Sequence, residues 1–186
     1  MLKYLQYYIS SFTLLIGFYF INKGGLYPTF FFIGFSSFII LGDHFLQKDS
    51  KLFKFSYPIF LSIPIYINLV LLYLFTLNAV YLMSPTTQSN LYPFIDHISI
   101  VMILSLFIGI MGTVPGHELI HRKKDKFDQL IGNLLLALSW DCTFAIEHVQ
   151  GHHKNVGFIN DPATARRGEN IYKFVLKAIL QEHVDA

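Results

Sequence analysis

The chain alternates long apolar runs with short polar breaks, and four of the runs are long enough to cross a bilayer. Residues 4–21 form the first. Their extended reach as a helix is about 27 Å at ~1.5 Å per residue, against a hydrocarbon core of ~30 Å. Lys3 before an apolar run also fits a signal peptide, but no A-x-A-like cleavage site follows and further runs do, so the stretch reads as a span. A short turn with Gly24 and Gly25 leads into residues 27–42, with Pro28 tolerated in the first turn. After a polar stretch, residues 58–83 make a long third span, expected to tilt or kink at Pro64. Residues 94–114 make the fourth, broken by Pro115-Gly116. Asp96 and His97 begin that span and read as interfacial residues.

The basic residues orient these spans. Lys48, Lys51 and Lys54 fall on one side with Arg122, Lys123, Lys124 and Lys126, and the opposite loops offer only Lys23. The positive-inside rule then makes the N-terminus, the stretch 43–56 and residues 117–126 cytoplasmic. Residues 130–146 are apolar enough for a fifth crossing. That would separate two histidine clusters that read as one site, so the stretch is expected to lie at the membrane boundary, with Trp140 and Asp141 at a polar edge. Residues 169–180 read as an amphipathic helix. The expected fold is all-α: residues 1–186 as one polytopic membrane helical bundle, four transmembrane helices plus boundary helices carrying the histidines.

Composition agrees. The chain is 53% hydrophobic and 14% charged, too apolar for an ordinary soluble domain. Its net charge of +2 says little about partners, among which no nucleic acid is expected, and a single cysteine excludes an internal disulfide or a cysteine zinc ribbon.

The candidate chemistry lies in two boxes. Five of the eight histidines stand in HELIH (117–121) and EHVQGHH (147–153). On α-helices His117 and His121 share a face, as do His148 and His152, while His153 lies about 100° round from His152, placed for a neighbouring second metal. HELIH also satisfies the H-E-x-x-H pattern of zinc proteases, with Glu118 as general base. A single zinc needs one further protein ligand and an open position, and His148, His152 and His153 exceed that. A polyhistidine site for two irons suits the surplus better, since imidazole binds iron and zinc alike.

At these residues the sequence resembles the membrane alkane 1-monooxygenases, integral-membrane di-iron hydroxylases. That family carries a first box HELxHK and a second box EHxxGHHxxV. Here they read His117-Glu118-Leu119-Ile120-His121-Arg122 and Glu147-His148-Val149-Gln150-Gly151-His152-His153-Lys154-Asn155-Val156. A DPAS-like run follows, here from Asp161 and Pro162 through Glu169 to Phe174, and Asp43 matches an aspartate before the family's third span. The resemblance implies insertion of one oxygen of O2 into the terminal C–H of a medium or long alkane, with electrons from rubredoxin and rubredoxin reductase. It also implies a bacterial inner membrane with the boxes on the cytoplasmic side. Two non-haem irons would be held by His117, His121, His148, His152 and His153, with Asp43, Glu118, Glu147 and Asp161 as candidates to hold those imidazoles in place. Lys123, Lys124 and Lys126 are placed to meet an acidic donor, though topology alone accounts for them.

Family members are much longer, with two more spans, an NYxEHYG-like motif and a third box of HxxHH type, none of which occurs in residues 1–186. The chain therefore reads as the N-terminal half of such an enzyme, expected to insert into the membrane but not to oxidise alkanes alone. Three alternatives stand beside this: a membrane fatty-acid desaturase or hydroxylase, whose second box usually reads HxxHH; an intramembrane HExxH zinc protease; and a non-catalytic truncated membrane protein.

Overall fold

The computed structural model describes residues 2–46, 54–84, 93–122 and 124–185. Lys48, Lys51 and Lys123, which contribute to the orientation argument, lie outside the described residues. The described residues are helical or irregular, and they divide into two compact units, Met1–Gly112 and Thr113–Ala186.

The first unit holds α1 (Ile9–Ile21), α2 (Tyr27–Phe45), α3 (Ile59–Met83) and α4 (Phe94–Phe107). Short helical turns at Leu2–Leu5 and Gln6–Tyr8 lead into α1. Among the described residues four helical runs are long and apolar enough to cross a membrane: Lys3–Ile21, Tyr27–Phe45, Ile59–Met83 and Phe94–Ile120. Within the unit α1 packs on α3, and α2 packs on α4. Phe107 sits at the centre, its ring centroid 5.2 Å from Phe75, 5.4 Å from Phe35 and 6.2 Å from Phe31. Gly17 makes room for it, since a Cβ there would meet Phe107 Cε2 at 2.6 Å. Polar contacts add specificity in a medium where apolar helix faces do not prefer one another over lipid. The Ser11 hydroxyl donates to Asn68 Oδ1 at 2.6 Å, and Asn68 Nδ2 donates to Ser10 Oγ at 2.9 Å.

Asp96 stands at the interfacial end of α4, yet it is fully buried. Its carboxylate accepts from the Leu26 backbone N–H at 2.8 Å and the Thr29 hydroxyl at 2.7 Å. Leu26 has φ 67, so the tight turn into α2 leaves that N–H pointing away from its own chain, and Asp96 receives it. The residue is a cap joining α2 to α4.

Two expectations about proline resolve differently. Pro64 sits buried inside α3 without ending it. Pro115 does not break the fourth span. A π turn, Ile108–Thr113, follows α4 and leads directly into α5 (Val114–Ile120). Proline lacks an N–H and crowds the carbonyl four residues back. The wider i→i+5 turn upstream takes up that mismatch, and the helix continues through the first histidine box.

The second unit contains α5, α6 (Lys126–Ala137), the second histidine box and α7 (Ile171–Asp185). Asp125 caps α6, accepting from the N–H groups of Phe127 and Asp128 at 3.0 and 3.1 Å. At twelve residues α6 is about 18 Å long, too short to cross a ~30 Å core. It ends at Ala137 and gives way to a turn over residues 138–140, where Trp140 has φ 64 and is 89% exposed. The helix starts before residue 130 and stops nine residues short of the end of the 130–146 run, because the Asp125 cap and the turn at Trp140 set its limits rather than the apolar boundary.

Candidate metal centre

The first box lies on α5, which packs against α6 at backbone range. A Cβ on Gly116 would meet the Gly132 carbonyl oxygen at 3.1 Å, and a Cβ on Gly132 would meet the Gly116 oxygen at 2.9 Å. Arg122 at the end of the box donates to the buried Asp128 on α6 at 2.9 Å. These contacts fix α5, and one turn apart on it stand His117 and His121, with Nε2 atoms 3.1 Å apart.

The second box is not an α-helix. One turn at Phe144–Ile146 opens into a π turn over Glu147–His152, followed by a helical turn at His153–Asn155. In an α-helix residues five apart point about 140° from each other. With i→i+5 hydrogen bonding they stack, so His153 comes round to the face of His148. The two Nε2 atoms are 3.0 Å apart, and His148 Nε2 is 2.7 Å from His117 Nε2. The ligand atoms of His117, His121, His148 and His153 all lie within 4.8 Å of one another. The α-helical expectation sets His153 apart; the π turn instead brings it onto His148 while His152 stays stacked there, ring centroids 5.4 Å apart. His152 stands outside the group of four, and its Nδ1 is 3.0 Å from both carboxylate oxygens of Asp161.

Gly151 leaves room for a side chain packed across the π turn. A Cβ on Gly151 would run into the carboxylate of Glu147, itself buried. Asp161 is also buried. It accepts from the Ala163 N–H at 3.0 Å and from the Thr164 hydroxyl as well as facing His152. Burial pushes its carboxyl up, but the bonds from Thr164, His152 and Ala163 outweigh that and hold it below the ordinary carboxylate range. Asp161 thus organises the loop and orients an imidazole at once. Glu118, by contrast, is exposed on α5, and Asp43 is exposed in the last turn of α2, in the other compact unit.

The donor set suits a metal ion. Neighbouring ligands at ~2.1 Å from one ion and at right angles would be about 3.0 Å apart, close to the separations above. Burial, followed by the imidazoles of His117, His153, His121 and His152, lowers the pKa of His148 to about 4. The ring is therefore neutral at physiological pH, the form that binds metal. Phe144 stacks on His148 with centroids 4.6 Å apart and planes at 11°, and also meets His117 at 5.7 Å. Sequence reasoning missed Phe144 and Thr164. The signals were there: Phe144 lies four residues before His148, and Thr164 lies three after Asp161, where a hydroxyl reaches back to an aspartate in a turn.

A family model for the fatty acid desaturases matches residues 96–186. Among curated proteins, the alkane 1-monooxygenase of Pseudomonas putida is 44% identical over 82 residues, covering 42% of this chain and 20% of that protein. The alkane 1-monooxygenase of Ectopseudomonas oleovorans is 44% identical over 79 residues, covering 41% and 20%. Alkane 1-monooxygenase 1 of Alcanivorax borkumensis is 46% identical over 79 residues, covering 41% and 19%. The chain thus spans about a fifth of the length of the curated relatives it matches. A multi-pass helical chain that gathers these histidines is thus similar to the alkane 1-monooxygenases over about four-tenths of its length, and to the fatty acid desaturase model over residues 96–186.

Proposed function

We propose that the chain contributes to a membrane alkane 1-monooxygenase, which inserts one oxygen of O2 into the terminal C–H of a medium or long alkane. The observation that carries this reading is the convergence of four imidazoles from the two boxes, in a chain whose relatives bear that name. His117, His121, His148 and His153 would hold one iron, and His152, set by Asp161, would serve a second. Bound iron supplies the redox chemistry of O2 that no side chain of the protein can supply. The chain's own residues fix the imidazoles. The Gly116–Gly132 contact positions the first pair, the π turn positions the second, and Asp161 holds the Nδ1 of His152, which leaves Nε2 as the donor atom. Phe144 covers one face of His148 and keeps water from it.

Electrons come, on this proposal, from rubredoxin and its reductase on the cytoplasmic side of a bacterial inner membrane, where a soluble donor meets the site. Cysteines placed at positions 124 and 154 should then label from the same, inner face. The remaining ligands come from a third histidine box outside residues 1–186. The test supplies octane, NADH, oxygen, rubredoxin and reductase to membranes bearing this chain, with and without the C-terminal half of a related alkane 1-monooxygenase. We expect 1-octanol only with the complement. Turnover by residues 1–186 alone would refute the need for further ligands, and one bound zinc with peptidase activity would refute the function.

A second reading has one observation in its favour. The matched family model is that of the fatty acid desaturases, so an acyl-chain desaturase or hydroxylase is the competing assignment. Supplying acyl lipids and octane to the same membranes decides between them by product.

A further inference from the structure

The α7 helix has a face that the protein leaves uncovered. Tyr172, Val175, Leu176, Ile179, Leu180 and Val184 recur at helical spacing and are 42% to 82% exposed. The opposite side carries Ala178, which is buried, and the helix touches the π turn of the second histidine box. An ordinary surface helix does the reverse, burying its apolar stripe and showing its polar one. Here the stripe points away from the protein.

The charges beside the stripe indicate what covers it. Arg166, Arg167, Lys173 and Lys177 stand in and just before the first two turns, against the single carboxylate of Glu169. Lys177 is paired with Glu169 at 3.2 Å, whereas Arg166, Arg167 and Lys173 are exposed. A helix seated in a protein groove places its cations opposite carboxylates. A helix lying in a bilayer surface keeps its apolar stripe in the acyl boundary and lets long basic side chains reach the phosphates. The same chain already offers four spans to a bilayer.

We propose that α7 lies in the plane of the membrane interface, with Tyr172, Leu176 and Leu180 among the acyl chains and Arg166, Arg167 and Lys173 at anionic headgroups. Because α7 contacts the second box directly, the helix sets the depth of the histidines: they lie within about one helix diameter, ~10 Å, of the hydrocarbon.

The experiment uses the whole chain with Cys142→Ser, reconstituted in vesicles of phosphatidylcholine containing phosphatidylglycerol. A fluorescent label is placed singly through Leu176→Cys, Leu180→Cys or Gln181→Cys, and through Leu74→Cys on α3 to verify insertion. Quenchers are nitroxides on the acyl chains or iodide in the water. Labels at 176 and 180 should be quenched several-fold more by the lipid nitroxides than the label at 181, and iodide should reverse that order. In the 176-labelled chain, Lys173→Glu should weaken the lipid quenching in these vesicles and leave it unchanged in pure phosphatidylcholine. If iodide quenches 176 and 180 as well as 181, the helix lies in water and the proposal fails. If neither quencher reaches them while the label at 74 responds to lipid, a second copy or another protein segment covers the stripe, and the proposal fails equally.

Discussion

Replacing Gly132 with alanine isolates the contact that holds the first histidine box. The added Cβ would sit 2.9 Å from the Gly116 carbonyl oxygen, 3.0 Å from Ile120 Cγ2 and 3.1 Å from Leu119 Cβ. Ordinary contact begins near 3.4 Å, so α5 and α6 must part by about 0.5 Å, because a backbone oxygen cannot rotate out of the way. Two effects compete. Alanine favours the helix over glycine by about 1 kcal/mol, while overpacking of this kind costs about 1–3 kcal/mol. The steric term wins, with a net loss of up to ~2 kcal/mol. The larger effect falls on the metal, because α5 carries His117 and His121, and sites of this kind tolerate displacements of only about 0.5 Å. We expect Gly132→Ala to lower the iron content of purified chain and to shift its thermal unfolding downward. Gly34→Ala is the control, since a Cβ there meets nothing within 4 Å. Gly116→Ala added to Gly132→Ala should cost less than it does alone, by at least ~0.5 kcal/mol, because the helices have already parted. Full iron content and unchanged stability in Gly132→Ala would refute the reasoning.

Three further outcomes follow from the geometry. His148→Ala and His153→Ala should each reduce iron bound by the chain at least about tenfold, as loss of one ligand from a set that acts together does. His152→Ala should retain the four-histidine metal and His183→Ala should change nothing; metal analysis after dialysis reads all four. Asp161 titrates below its ordinary value of 3.8 in the folded protein, so its stabilising contribution is present above that pH and is lost as pH falls through the lower folded value. Asp161→Asn should therefore be less stable near neutrality, and its acid unfolding should lose that part of the pH dependence. Asn68→Leu removes the bonds to Ser10 and Ser11 and should cost about 0.6–1.7 kcal/mol in denaturant unfolding of the detergent-solubilised chain.

The four spans were legible because a bilayer imposes a length, and length is read directly from an apolar run. The two boxes were legible because core packing has no use for five imidazoles at helical spacing, whereas a metal does. What escaped was what depends on departures from 100° per residue. Nothing in the composition of Ile108–Thr113 or Glu147–His152 marks a π turn, so Pro115 reads as a break and His153 as a residue apart. Asp96 escaped for another reason. Its partner Leu26 is 70 residues away, and the need for a cap arises only from the left-handed turn there. Hydropathy shows where a carboxylate stands along the chain, not what N–H it meets.

The π turn also bears on how this box compares with the HxxHH boxes of desaturases. HxxHH places its outer histidines four residues apart, one turn of α-helix. Here His148 and His153 are five apart, and spacing alone sets the two motifs in different classes. A π turn adds one residue to one revolution, so the fifth residue arrives where the fourth would stand. HxxxHH in a π turn and HxxHH in an α turn therefore present their outer imidazoles to the same point. By the same shift His152, four residues on, takes the place of the inner histidine of HxxHH, and in this chain it is the imidazole that Asp161 receives. One insertion, absorbed within a single revolution, thus leaves all three imidazoles of the box in the register of the shorter motif.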